Sequence, residues 1–292
     1  MSKRIYFCIN YGYLGIMESR QLSNMRIETI TSTQNRKVKM LLELQEKSKA
    51  RRKEGLFVVE GYRELLHCIS AGYQAYSVFV CEDILSSRQM NELAEVVGNS
   101  CSFFSLPKQL YEKVAYREGT EGVIAEIKCK EHNLRDLTLK ENPLVVVLES
   151  VEKPGNLGAV LRSADAAGAD AVIICDPLTD LYNPNLIRSS IGGIFTVQTA
   201  SASSEDAINW LKDNNIRILT AQLQDSKVYY DTDMKVGTAI VMGTESTGLS
   251  DLWRKAADSH IMIPMLGQLD SLNVSVSAAI LLYEAVRQRN SK

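Results

Sequence analysis

Short apolar runs alternate along the chain with segments whose apolar residues recur every three or four positions, the pattern of strands interleaved with helices. From Gln34, the segment QNRKVKMLLELQEKSKARRKEG predicts one amphipathic helix, with Val38, Leu41, Leu42 and Leu44 on one side and charges on the other, closed by Gly55. LFVVE, YSVFV, CSFFSL and GVIAEIK then read as strands, separated by helices over 62–70, around 88–97 and from Lys108, which together make a small α/β domain. A polar linker over 131–142 follows. Beyond it come PLVVVLE, AVIIC, TVQTA, IRILTA, TAIVMG and HIMIP, apolar almost throughout, as parallel strands covered on both faces are. The second unit is therefore expected to be an α/β sandwich of about six strands, ending in a long helix over 274–289.

A length of 292 residues fits this division. The expected organisation is an N-terminal extension over 1–26, a first α/β domain over 27–130, the linker over 131–142 and a second domain over 143–292. Residues 1–24 imitate a signal peptide only faintly, because Asn10 and two glycines interrupt their apolar stretch and no small-x-small cleavage site follows. Met25 opens an ordinary domain start, so the residues before it are expected to be an upstream extension, poorly ordered or untranslated. A composition of 45% hydrophobic and 23% charged residues argues against a disordered chain, and no run of about 20 apolar residues predicts a membrane span.

Charge changes the picture. The net value of −2 speaks against a nucleic-acid partner until the chain is divided. Residues 1–140 hold 21 Lys+Arg and 17 Asp+Glu, a surplus of +4, whereas the remainder holds 12 and 18, or −6. The densest basic run is Arg36, Lys37, Lys39, Lys47, Lys49, Arg51, Arg52 and Lys53, suited to holding RNA phosphates without reading sequence, or else a solvated helix face. Six cysteines scattered singly and three distant histidines predict neither a disulfide framework nor a metal site, and reduced thiols fit a cytoplasmic protein.

Three glycine-bearing loops carry the candidate chemistry, each after a strand of the second domain, where open α/β sheets bind ligands. The first, EKPGNLGAVLRSADAAG, holds Asn156 and Arg162; its glycines are expected to permit a tight turn and a close backbone approach to a ligand. It matches neither G-x-G-x-x-G nor G-x-x-x-x-G-K-[ST], which removes a dinucleotide site and a P-loop. The second, VMGTESTGLS, sets Glu245 between two glycines, able to accept hydrogen bonds from ligand hydroxyls or to cap the following helix. The third, IPMLGQLDSLNVSVSAAILLYEA, leads through Ser271 and Asn273 into the last helix, for which either residue alone reads most simply as an N-cap.

Together, N-x-G-x-x-x-R, G-x-E-x-x-G-L and I-P-M-x-G-x-x-x-S-L-N-V-S, in this order in one α/β domain, resemble the three signature motifs of the SpoU/TrmH family of the SPOUT superfamily, RNA ribose 2′-O-methyltransferases. The resemblance covers 143–289, and the stretch before the linker is similar to the substrate-binding domain that precedes it in many members. It implies a parallel sheet with a trefoil-knotted C-terminal segment, S-adenosylmethionine as cofactor without a metal, and a homodimer formed through the knotted domain, with each site completed near the interface. By motif, Gly243, Ile263 and Leu272 are expected at the cofactor, with Met265 and Gly267 nearby. Asn156, Arg162, Glu245, Ser271 and Asn273 form the expected catalytic shell. Arg162 is expected to orient the hydroxyl or a phosphate and to stabilise developing charge, since a guanidinium is a poor base. Arg36, Lys37, Lys39, Arg51, Arg52 and Lys53 are expected to hold RNA, ribosomal rather than transfer RNA. The competing readings are a transfer-RNA enzyme, methylation at a base atom, and an inactive RNA-binding or assembly protein of the same fold.

Overall fold

The computed structural model describes residues 27–98, 100–116 and 121–291; the extension expected over 1–26 lies outside these described residues. The chain forms two sheets. The first contains β1 (Ile27–Thr29), β2 (Leu56–Glu60), β3 (Ala75–Val80), β4 (Ser102–Ser105) and β5 (Val123–Lys128), in the order β1-β4-β3-β5-β2. β5 runs antiparallel to both its neighbours, and the other pairings are parallel. Around it lie α1 (Arg36–Glu46), α2 (Ser48–Glu54), α3 (Tyr62–Ser70), α4 (Ser87–Val97) and α5 (Lys108–Val114).

The single helix predicted from Gln34 is in fact two. Lys47 takes an extended conformation (φ −113°, ψ 113°) that breaks the run, and α2 ends where predicted, at Gly55 in the left-handed region (φ 64°). The break turns Arg51 inward. Its Nη1 donates to the carbonyls of Leu44 (2.6 Å) and Gln45 (3.2 Å), which α1 leaves without helical partners, and its Nε pairs with Asp180 Oδ2 at 2.6 Å. The Arg51 side chain is only 4% exposed, so the expectation that it binds RNA is corrected: it ties the first sheet to the second unit.

The second sheet is entirely parallel, with seven strands: β6 (Leu144–Glu149), β7 (Ala171–Cys175), β8 (Thr199–Ala202), β9 (Arg217–Ala221), β10 (Lys227–Val228), β11 (Thr238–Met242) and β12 (Ser259–Met262). Their order is β10-β12-β9-β11-β6-β7-β8. The unpredicted β10 is a two-residue edge piece too short to show a period. TVQTA was placed about three residues early, because Thr196 closes a short helix, α8 (Gly193–Thr196), before β8 begins. Alternate residues separate the two faces. Val146, Leu148, Val172, Ile174, Ile240 and Met242 pack under α6 (Pro154–Ala167), α7 (Pro184–Ser190) and α11 (Val274–Asn290). Val145, Val147, Ile173 and Val241 pack under α9 (Ser204–Asp213) and α10 (Asp251–Ala256).

The first of these faces does not stop at the linker. One buried cluster runs from Val146 and Leu161 through Phe195 and Tyr182 to Phe57, Leu65 and Val78 of the first unit. Phe57 stacks on Tyr182 at 4.1 Å between centroids, and Tyr73 meets Phe195 edge-on at 5.3 Å. The other face of the first sheet keeps its own core around Leu41, Phe79 and Tyr111. At the far end of α11, Arg289 donates to four carbonyls, those of Met234 (2.8 Å), Asn142 (2.7 Å), Pro143 (3.1 Å) and Val236 (2.8 Å). Among the described residues no helix is long and apolar enough to cross a membrane.

The Arg51–Asp180 pair generates a prediction. Asp180→Ala leaves a guanidinium buried without its partner and lowers stability by about 3 kcal/mol in urea unfolding at pH 7. A loss below about 0.5 kcal/mol would class the pair with energetically idle surface pairs.

Candidate functional site

The three motif loops leave the carboxyl ends of β6, β11 and β12, on one edge of the parallel sheet. Asn156 lies in the first turn of α6, Glu245 in a tight turn after β11, and Asn273 at the N-cap of α11. The turn is closed by two reciprocal backbone bonds, Thr244 N to Gly248 O (3.3 Å) and Gly248 N to Thr244 O (3.1 Å). A Cβ on Gly243 would lie 2.1 Å from Gly248 O, so glycine there is demanded by the turn itself. Glu149, at the end of β6, anchors the far side by accepting from Ser250 N at 2.8 Å.

The side chains of all three motifs meet. Asn156 Nδ2 donates to Glu245 Oε1 at 3.0 Å, and Asn273 Nδ2 donates to the same oxygen at 2.8 Å and to Asn156 Oδ1 at 3.1 Å. Asn273 Oδ1 accepts from Ser275 N at 3.0 Å, so this residue is both the helix cap and a member of the cluster. Lys153 Nζ closes the other carboxylate oxygen, Oε2, at 2.8 Å. That ammonium, above all, holds the Glu245 carboxyl below the ordinary range, helped by Asn156 and the Val274 N–H against the opposing effect of partial burial. Glu245 in turn raises the Lys153 ammonium. Glu245 does not cap α10, the next helix in sequence; its backbone contact is with the first residue of α11. A cavity of about 190 Å³ opens beside the cluster, lined by Val151, Lys153, Asn156, Thr244, Glu245 and Val274.

Other expected site residues lie apart from this cluster. Arg162 is exposed on α6, six residues beyond Asn156, which on a helix is about 9 Å along and a third of a turn round. Ser271 is exposed and contacts Asp270 Oδ1 at 3.3 Å. Ile263 packs partly on the core, while Met265, Gly267 and Leu272 lie along the loop that follows it. In this loop, among the described residues, no backbone group of 265–272 meets a backbone partner, and Leu266 and Leu269 are 97% and 76% exposed. A Cβ on Gly267 would meet nothing within 4 Å, so internal packing does not require glycine there. Free backbone donors and acceptors beside uncovered apolar side chains fit a nucleoside-bearing cofactor held mainly by main chain.

One glycine of the first motif, Gly158, serves a different end from the one expected. Gly155 and Gly158 lie inside α6 and not in a turn, and a Cβ on Gly158 would fall 1.9 Å from Ser189 Oγ and 2.8 Å from Ser190 N. Gly158 thus lets α7 approach α6. Of the basic run, Arg36, Lys39, Lys49 and Arg52 are exposed, whereas Lys37 is held by Glu28 at 2.7 Å over the Phe104 ring, and Lys53 pairs with Glu54 at 3.0 Å. Lys153 was missed from the sequence, its contact with Glu245 spanning 92 residues.

Residues 143–283 match the SpoU rRNA Methylase family, and residues 35–125 match the MRM3-like substrate binding domain. A 23S rRNA (uridine(2479)-2′-O)-methyltransferase from Streptomyces viridochromogenes is 30% identical over 248 residues, which cover 82% of this chain and 86% of that one. Among solved structures, an RNA 2′-O ribose methyltransferase is 38% identical at a TM-score of 0.76, over 89% of this chain and 99% of its own. An AdoMet-bound rRNA methyltransferase from Sinorhizobium meliloti is 27% identical at a TM-score of 0.83, over 91% of this chain and 99% of its own.

The glycine geometry separates two kinds of position. Gly158→Ala and Gly243→Ala each force a close contact and lower stability by about 1–3 kcal/mol, whereas Gly267→Ala melts within about 0.5 kcal/mol of the parent. Calorimetry of the three variants checks this ranking; a Gly158→Ala protein as stable as the parent would contradict the packing assigned to α7.

Proposed function

The chain belongs to the SpoU rRNA methylase family, and on that premise we propose that it methylates a ribose 2′-hydroxyl of ribosomal RNA with S-adenosylmethionine as donor. The observation that carries this reading is the hydrogen-bonded meeting of Asn156, Glu245 and Asn273, one residue from each motif, at the carboxyl edge of the sheet. S-adenosylmethionine supplies a methyl group already activated by its positive sulfur. What remains for the protein is to bring the hydroxyl into line and to accommodate the charge it develops, and alignment alone can supply about 7–11 kcal/mol.

Each group has a part that its chemistry supports. The loop over 263–272, together with Gly243 in the turn after β11, is suited to holding the cofactor by backbone groups, which leaves the Asn156–Glu245–Asn273 cluster facing the substrate. An ionised Glu245 is acceptor-only and fixes both amides. Arg162, exposed on α6, is suited to meet a phosphate or the developing oxyanion through its fork of donors. Arg36, Lys39, Lys49 and Arg52 supply exposed cations to RNA phosphates. The apolar stripe Leu272, Val276 and Tyr283, 37%, 47% and 51% exposed, supports a homodimer formed through the second unit. The trefoil knot belongs to this proposal as a family property.

Two experiments test the reading. Arg162→Ala is expected to lower methyl transfer by about 10²–10³-fold while the calorimetric Kd for S-adenosylmethionine stays within about twofold; parent-like turnover removes Arg162 from the mechanism. Replacing Arg36, Lys39, Lys49 and Arg52 together by alanine is expected to flatten the log–log salt dependence of RNA binding by about 3, and an unchanged slope assigns them to solvent. Mapping 2′-O-methylation across stable RNAs in a deletion strain names the substrate. A lost site in transfer RNA, or none at all, overturns the ribosomal assignment.

A further inference from the structure

We propose that Lys153 is a positioning residue for the transfer: by clamping Glu245 it holds in place the carboxylate that orients the Asn156 amide toward the reacting hydroxyl. The inference rests on the function proposed above.

Hydrogen counting shows what the clamp decides. Asn273 Nδ2 spends both hydrogens, one on Glu245 Oε1 and one on Asn156 Oδ1, and Asn273 Oδ1 is occupied by Ser275 N and Oγ at 3.0 and 2.6 Å. Asn273 therefore cannot flip without uncapping α11. Asn156 Nδ2 spends one hydrogen on Glu245, and its second, with the remaining lone pair of Oδ1, is the free polarity that the three-residue cluster offers to the cavity. The direction of that free N–H holds only while Glu245 remains an acceptor. Asn156 cannot turn over while Asn273 donates to its Oδ1; what can fail is the placing of the Glu245 carboxylate, which takes the shared acceptor away from both amides if it swings aside.

Lys153 opposes that change. Its ammonium lies 2.8 Å from Oε2, the oxygen that neither asparagine uses. The charged groups facing the carboxylate are Lys153 itself and, beyond it, Glu152; the other motif brings only the Asn273 amide and the Val274 N–H. The position of Lys153 also argues for a specific task. It is the N-cap residue of α6 and makes no capping bond, and a cation there opposes the positive end of the helix. A lysine that breaks a local rule has its compensation at Glu245. Its side chain is 71% exposed, so its replacement leaves the fold intact.

The sign of the pH effect follows. A carboxyl held below its ordinary range keeps its charge from neutral pH down to that lowered value and loses it as pH falls through it, so loss of the ammonium moves the protonation that the neighbouring amides report to higher pH. The experiment is a pH titration of the Asn156 and Asn273 side-chain amide signals by ¹⁵N NMR on the full-length chain without cofactor, as parent, Lys153→Met and Lys153→Arg. The Lys153→Met midpoint is expected about 0.5–1 pH unit above the parent, with Lys153→Arg close to it. In parallel, methyl transfer from S-adenosylmethionine to 23S rRNA from a deletion strain is expected to lose about three- to tenfold in kcat at pH 8 in Lys153→Met, with KM for the donor unchanged. Lys153→Arg recovers most of that loss, and Lys153→Met costs nothing further in a Glu245→Gln background. An unmoved amide midpoint, or an equal loss in the Glu245→Gln background, overturns the proposal. If the parent itself transfers no methyl group to this RNA, the functional reading fails, and the amide titration still decides whether Lys153 sets Glu245.

Discussion

Parallel strands cannot be joined by tight turns; every connection must cross back over the sheet before the next strand starts. In the seven-stranded sheet this constraint sends the segments after β6, β11 and β12 to the same edge, although 89 residues separate Asn156 from Glu245 and another 28 separate Glu245 from Asn273. The site is a product of strand order. β11 lies directly beside β6, so the first two loops emerge as neighbours, and α11 lies against the same face as α6 and carries Asn273 to meet them.

The same sheet also fixes how the first unit is set against the motif loops. Because the buried cluster under α6 and α7 continues into Phe57, Leu65 and Tyr73, the first unit shares a core with the site-bearing unit and does not swing on a free linker. Arg51 reinforces this at the rim, serving the end of α1 and Asp180 at once. The exposed cations of α1 and α2 thus stand at a set position relative to the motif loops. Stacking of Phe57 on Tyr182 does the larger share, since aromatic burial of this kind outweighs a single ion pair whose desolvation opposes its attraction.

Much of this was legible in the sequence, for definable reasons. The central strands β6, β7 and β11 are apolar on both faces and announce themselves, whereas β8 and β12 carry polar residues and are less sharply bounded; Asn156, Glu245 and Asn273 stand in motifs whose joint order points to one site. What was hidden depends on contacts distant in sequence. Nothing in KSKARRKEG separates Arg51 from its exposed neighbours, because its burial depends on Asp180, 129 residues away. Nothing in the sequence sets Lys153 apart before Glu245 folds against it. Gly158 was legible as special but not for the right reason, since the atoms that exclude a side chain there belong to Ser189 and Ser190 on another helix.

The last helix joins two of these features. α11 spans 17 residues, roughly 25 Å, with Asn273 capping one end and Arg289 gripping four carbonyls near the other. One rigid element therefore carries both contacts, so the loop that brings Asn273 to the cluster is anchored at a point far from it. Arg289 thus ties the far end of the helix to the segments before β6 and β11, about a helix length from Asn273.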